Sequence, residues 1–308
     1  MIRFSYGAAT SVGRVRKVNE DSYLAVPPLF AVADGMGGHG AGNVASRIAI
    51  EEMTACVALR PLFAEAVLTA LEHANRHIIE RDAANRMGTT VTGLAALETA
   101  GSDHLMVFNI GDSRVYRLAG HRLEQLTVDH SEVQELVLAG VLTREQARTH
   151  PRRNVVTRAL GSAPVLLVDH VLIPAVGGDR FLICSDGLFG ELPDEVMLPL
   201  LSVGSPQRAA ESLVAAANDA GGRDNVTAVV VDVGSAAPAP AFSPAAAPAR
   251  AEDPTLPDQP VAARRRPRAE PGPPADVGLV GLGLLGADSG EHDWGGIRRG
   301  GPGLDGHG

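Results

Sequence analysis

Five aspartates stand at the edges of apolar runs, each beside small or turn-forming residues. They occur in Asn19-Glu20-Asp21-Ser22, Ala33-Asp34-Gly35, Gly111-Asp112-Ser113, Ser185-Asp186-Gly187 and Asp224-Asn225. Asp and Gly also make ordinary turns, and any one of these sites alone would be read that way. Asp34, Asp112 and Asp186, however, each close a run of largely apolar residues. A carboxylate there projects from a rigid scaffold toward the rim of a sheet. A following glycine lets the backbone carbonyl approach the same point. Converging carboxylates cannot all stay ionised unaided, so they need cations. All-oxygen donors favour Mg2+ or Mn2+, and no Cys/His set of the zinc type stands out. Two such ions outweigh the charge of Asp34, Asp186 and Asp224, and the remainder suits a phosphate dianion. A pair of ions ~3.5–4 Å apart acidifies a bridging water and clamps both oxygens of an in-line displacement. The chemistry is metal-dependent phosphoryl hydrolysis; phosphatase, nuclease and pyrophosphatase all satisfy it.

Gly35-Met-Gly37-Gly38-His-Gly40 also matches the dinucleotide-binding pattern G-x-G-x-x-G. That fingerprint needs a second strand with an acidic residue ~20 positions on. Here the chain is still in a helical pattern at 53–59, and Asp34 would repel a pyrophosphate. The nucleotide reading is rejected.

The elements that must position the aspartates are short. Aliphatic and β-branched runs at 4–9, 23–26, 29–33, 89–97 and 105–110 read as strands. Further strands are expected at 114–118, 123–126, 169–173, 181–184 and 226–233. A helix is expected over 42–59, with Ala45, Ala49, Met53 and Cys56 on one side. A second, over 62–84 after Arg60-Pro61, shows the stripe Phe63, Val67, Leu71, Ala74 and Ile78. Shorter helical stretches lie at 131–138, 144–149, 194–201 and 206–220. Segregated strands and helices argue for an α+β fold of two stacked sheets flanked by helices. Residues 131–165 lack strand signals and read as an insertion.

Composition changes near Gly234. The 74 residues that follow hold 12 Pro, 13 Gly and 14 Ala, too little apolar bulk to offset the entropy of ordering them. One folded domain over 1–234 and a disordered tail over 235–308 are expected. A domain of that size buries roughly 70–75% of its unfolded surface. The chain totals −9, which argues against nucleic-acid binding by phosphate neutralisation. Two cysteines, Cys56 and Cys184, make no disulfide framework, so reduced thiols in a cytoplasmic protein are expected. No signal peptide and no membrane span are read. The apolar segment 277–287 is too short, at eleven residues with four glycines, where a span needs ~20.

The motifs around the aspartates resemble those of the metal-dependent protein serine/threonine phosphatases of the PP2C type, bacterial branch. They arrive in that family's order: Gly13-Arg-Val-Arg16-Lys-Val-Asn-Glu20-Asp21-Ser, Ala33-Asp34-Gly-Met-Gly-Gly-His39, Met87-Gly-Thr-Thr90 and Asn109-Ile-Gly-Asp112-Ser-Arg114. Then follow Leu126-Thr-Val-Asp129-His130-Ser131, Asn154 to Gly161, Cys184-Ser-Asp186-Gly-Leu and Arg223-Asp224-Asn225-Val-Thr227. The resemblance implies a central antiparallel β-sandwich with helices on both outer faces and a two-metal centre of Mn2+ or Mg2+. It implies that Asp34 bridges both ions, that Asp186 and Asp224 complete the first, and that the Gly35 carbonyl joins Asp34 on the second. Glu20 and Asp21 would hold water on the ions, and Asp112 with Asp186 a third ion. Arg16 would hold the substrate phosphate, a role suited to its fork of donors. The implied activity is hydrolysis of phosphoserine and phosphothreonine in proteins by metal-held hydroxide, without a covalent intermediate. Substrates of the Ser/Thr kinase or anti-sigma-regulator kind fit, and a monomer is expected. The other reading in view is a phosphoprotein-binding regulator of the same fold without turnover. Where animal members have histidine after Asp-Gly, this chain has Met36; His39 follows three positions later. Residues 131–165 correspond to the flap beside the active site.

His73 and His77 have helical i, i+4 spacing but no third ligand nearby, and read as a solvated helix face. Cys184 reads as a buried structural thiol. The run Arg264–Arg268 reads as a solvated charge cluster.

Overall fold

The computed structural model describes residues 2–234 apart from 38–39, 60, 83–86 and 100–101, and leaves aside the side chains of 98, 99 and 102. The expected tail, the Arg264–Arg268 run and His39 lie outside the described residues.

Two antiparallel sheets carry the fold. The first has the order β1 (Arg3–Ser11), β11 (Val226–Gly234), β10 (Arg180–Cys184), β7 (Arg114–Ala119) and β8 (Arg122–Gln125). The second runs β2 (Asp21–Val26), β3 (Leu29–Met36), β5 (Val91–Thr99), β6 (Ser102–Ile110) and β9 (Asp169–Pro174), with the short β4 (Gly88–Thr89) pairing to β3. Period-two alternation divides each strand's side chains between two cores. On β10, Phe181 and Ile183 enter the layer between the sheets, where they meet Phe30, Val32, Leu94 and Val229. Leu182 points the other way, onto a layer with Met197, Leu201 and Leu213 from the outer helices α6 (Asp194–Ser202) and α7 (Pro206–Ala220). The second sheet is covered by α1 (Ala41–Val57) and α2 (Ala64–Arg81), which meet Leu29, Ala31, Ala33 and Phe108. Strand β3 is therefore buried on both faces along its whole length. Its sequence accordingly reads as a continuous apolar run rather than an alternating one.

Ala45, Ala49, Met53 and Cys56 are buried, as their spacing requires, and so are Val67, Leu71, Ala74 and Ile78. Phe63 departs from the expected stripe. It is the N-cap of α2 and stands 55% exposed, because the helix begins one residue after it. The expected strand over 89–97 is two pieces, β4 and β5, separated at Thr90. The insertion 131–165 contains α3 (Glu132–Leu138), capped by Ser131, and α4 (Arg144–Thr149), which starts with a Thr143/Gln146 capping box. His73 and His77 lie on the exposed face of α2, where His77 Nδ1 pairs with Glu52 at 2.8 Å. Cys56 and Cys184 are buried free thiols, and burial pushes both thiol pKa values up. No helix among the described residues is long and apolar enough to cross a membrane.

Candidate active site

Asp21 opens β2 and Asp34 lies near the end of β3, and the two are direct cross-strand partners. Asp34 is held through its backbone. Its N–H donates to Thr90 Oγ1 at 3.1 Å, and its carbonyl accepts from the Thr90 N–H at 2.9 Å and from Thr89 Oγ1 at 3.0 Å. Thr90 Oγ1 also shares a 2.8 Å hydrogen bond with Ser113 Oγ, beside Asp112. The break between β4 and β5 thus serves to grip Asp34. Gly35 donates its N–H to the Glu20 carbonyl at 3.2 Å, and a Cβ there would strike the backbone of Gly42. Only glycine fits.

Glu20 sits beside the first turn of α1, where the backbone N–H groups of Gly42 and Asn43 donate to its carboxylate. A helix N-terminus favours an anion there. Burial nevertheless raises the Glu20 pKa, against the lowering effect of those amides and of Arg16. Asp21 is perturbed further. Burial lifts its pKa to about 7; hydrogen bonds from Thr227 and Ser185 oppose the rise, and the charges of Asp186 and Asp224 add to it. Ser185 Oγ and Thr227 Oγ1 both donate to Asp21 Oδ2, at 2.8 and 2.7 Å. These two hydroxyls come from the first sheet's strand ends, so Asp21 ties the two sheets together.

Asp186 is the first residue of the one-turn helix α5 (Asp186–Phe189), immediately after β10. Phe189 at the other end of that turn lies under the Arg114 guanidinium, 3.7 Å from the ring centroid. Arg114 is itself fixed by paired hydrogen bonds to Asp129 and one to Tyr116 Oη at 2.8 Å. Asp224 precedes β11 and accepts from Arg16 Nη2 at 2.9 Å. Its neighbour Asn225 accepts from the Glu20 N–H at 2.8 Å and donates to the carbonyls of Val12 and Val18 at 3.0 Å. Asp112 is buried in the turn between β6 and β7. There Gly111 exchanges two hydrogen bonds with His130: its N–H donates to His130 Nδ1 at 3.0 Å, and its carbonyl accepts from the His130 N–H at 2.9 Å. Burial lowers the His130 pKa, and the neutral ring directs Nε2 at Asp169 Oδ2, 3.1 Å away. Met36 is buried at the end of β3, adjoining Gly88.

Glu20, Asp21, Asp186, Asp224 and Arg16 therefore interact at one end of the sandwich, with Asp34 opposite Asp21. Asp112 connects to Asp34 through Ser113 and Thr90. The carboxylates do not yet enclose a point: among the described residues no three acidic, imidazole or thiol groups are gathered closely enough to hold an ion. Asp224 is turned to Arg16 instead. Two buried oxygens, Glu20 Oε1 and Asp21 Oδ1, accept no hydrogen bond from the described residues. Stranded acceptors among several carboxylates fit a hard divalent cation with its water shell. Sequence reasoning had not assigned roles to Ser185, Thr227, Asn225, Thr90 or His130. All five stand in the quoted motifs, and three of them (Ser185, Asn225 and Thr227) lie within three residues of a candidate aspartate.

The protein phosphatase 2C family profile matches residues 14–217. The serine/threonine phosphatase stp of Listeria monocytogenes is 37% identical over 245 residues, covering 72% of this chain and 93% of that one. The serine/threonine protein phosphatase PstP of Mycobacterium tuberculosis is 40% identical over 237 residues, covering 74% of this chain and 45% of that protein. The crystal structure of the PPM Ser-Thr phosphatase MsPP from Mycobacterium smegmatis in complex with cacodylate superposes with a TM-score of 0.69 at 42% identity. It covers 75% of this chain and 98% of that one. The catalytic domain of PstP in complex with two manganese ions superposes with a TM-score of 0.68 at 35% identity, covering 76% and 100% of the two chains. The mixed α+β sandwich agrees with these likenesses, and the chain belongs to the protein phosphatase 2C family of serine/threonine phosphatases.

Proposed function

We propose that this phosphatase holds a binuclear Mn2+ or Mg2+ centre through Asp34, the Gly35 carbonyl, Asp186 and Asp224. Glu20 and Asp21 hold water around it, and Asp112 with Asp186 provides a third, weaker position. The observation that carries the proposal is the pair of buried, unsatisfied carboxylate oxygens on Glu20 and Asp21, within a group of acids whose burial and mutual repulsion favour protonation. When bound, the ions supply a water ionised near neutral pH and positive charge for the phosphoryl group. The chain's own residues do the positioning. Ser185 and Thr227 fix Asp21 in one rotamer, while Thr89 and Thr90 fix the Asp34 backbone. Arg16 exchanges Asp224 for the substrate's phosphate oxygens, giving charge-assisted hydrogen bonds of the same kind.

The substrates are phosphoserine and phosphothreonine in cytoplasmic proteins, of the Ser/Thr kinase or anti-sigma-regulator kind, and the enzyme acts as a monomer. The complete set Asp34, Asp186 and Asp224 serves turnover, which a pure phosphoprotein binder would not need. Residues 1–234 form the catalytic domain and carry the activity without 235–308.

The test is hydrolysis of an aryl phosphate and a phosphothreonine peptide with and without added metal. Activity is expected with Mn2+ or Mg2+ and should vanish in EDTA. Full activity after verified metal removal would overturn the proposal.

A further inference from the structure

The chain as a whole is acidic, at −9, but residues 144–158 reverse that sign. They hold five arginines (Arg144, Arg148, Arg152, Arg153 and Arg158) against one acid, Glu145. All five arginines are exposed. Arg152 pairs with Glu132, and Arg158 with Asp169 at 2.8 Å. Arg144, Arg148 and Arg153 make no ion pair among the described residues. Arg148 also stands in the last turn of α4, where a cation suits the helix dipole, but among the described residues Arg144 and Arg153 have no such role.

Their segment is rooted in the candidate active site at both ends. At one end His130 exchanges backbone and ring hydrogen bonds with Gly111, the residue before Asp112. At the other, Leu160 forms a two-way backbone bridge with Thr89, at 2.9 and 3.2 Å, and Thr89 Oγ1 holds the Asp34 carbonyl. Between these anchors the Thr143/Gln146 capping box orders the turn that presents Arg144 and Arg148. The basic segment is therefore a fixed part of the site's surroundings. At physiological salt its field reaches only ~8 Å, so it acts only on substrate residues that pass close to these arginines.

We infer that Arg144, Arg148 and Arg153 select phosphoprotein segments with acidic residues flanking the phosphothreonine or phosphoserine. The inference rests on the phosphatase reading and adds the sequence class of its substrate. Exposed ion pairs are individually weak, and three together give about a tenfold preference in kcat/KM.

The experiment uses the full chain with Mn2+ and two phosphothreonine peptides that differ only in Glu or Lys at the flanking positions. Wild type should prefer the Glu peptide about tenfold at low salt, with the ratio falling toward one as salt is raised. The double variant Arg144→Glu/Arg153→Glu should reverse the preference. Arg144 opens α4, where glutamate suits the helix N-terminus, and Arg153 lies outside any helix, so the variant should fold; circular dichroism checks this. A reversal is a readout that general destabilisation cannot produce. Equal kcat/KM for the two peptides in wild type, or an unchanged ratio in the folded variant, would overturn the inference while leaving the phosphatase intact. No turnover of an aryl phosphate by wild type would instead overturn the metal-centre proposal, and this inference with it.

Discussion

Asp21 and Asp34 face each other across β2 and β3, two carboxylates in direct cross-strand register at the end of a sheet. Like charges so placed destabilise a sheet, and the cost is tolerable only if a proton or a cation intervenes.

The metal-free protein should therefore lose stability as pH rises. Asp21 is lifted from an ordinary 3.8 to about 7 in the fold, so between those values the folded state binds more protons than the unfolded one. Linkage then gives a falling unfolding free energy with increasing pH across that window. Chemical denaturation at several pH values in EDTA should show this decline, and Mn2+ should remove it. A flat or rising profile from pH 4 to 7 in EDTA would contradict the placement of Asp21.

The roles proposed for Arg16 and Asp186 separate binding from chemistry. Arg16→Ala should mainly raise KM, roughly 10–150-fold for loss of a charge-assisted hydrogen bond worth ~1.5–3 kcal/mol. Asp186→Asn should mainly abolish kcat. Both variants are measured at saturating Mn2+ on one phosphopeptide. A loss confined to kcat in Arg16→Ala would refute its proposed role.

Gly111 has φ 109°, and a Cβ there would lie 2.5 Å from Thr90 Cβ. Gly111→Ala should cost about 2–4 kcal/mol through overpacking and backbone strain. Because Thr90 grips Asp34, activity per folded molecule should fall as well. Urea titration and kcat on the aryl phosphate measure the two effects, and a stable variant with full activity would show that the Thr90 contact is dispensable.

A chain ending at Gly234 should unfold cooperatively and retain kcat on a small substrate. Every proposed site residue lies at or before Asp224, and β11 completes the first sheet at Gly234. Lost cooperativity on truncation would show that the remaining 74 residues contribute to the core.

The aspartates and their scaffolds were legible because each depends on local pattern. Strand β3 is an unbroken apolar run, as burial on both faces demands, and Asp34 stands near its end. Helix α5 was not visible, since four residues, Asp186-Gly-Leu-Phe, are too short to show a period. The break at Thr90 was also hidden. It is set by side-chain hydrogen bonds to Asp34 and to Ser113, 56 and 23 residues away in sequence. Contacts of Asp21 with Ser185 and Thr227 span 164 and 206 residues, and no local signal encodes such a meeting. Phe63 was misplaced for a simpler reason: helical spacing continues through an N-cap whose backbone is already extended.

The position of β11 governs when this enzyme can come into being. Among the described residues it is the last strand in sequence, yet it lies inside its sheet, between β1 and β10, with Arg3 paired to Gly234. A ribosome that has not delivered it has made a polypeptide with two open strand edges. Such a nascent chain also lacks Thr227, and Asp224 comes only two residues before β11, so the proposed site and the sandwich are finished by the same stretch of chain. Long-range closure of this kind makes folding slow and leaves the growing chain open to aberrant pairing. Premature termination should thus yield no partly active fragment, only a client for chaperones or proteases.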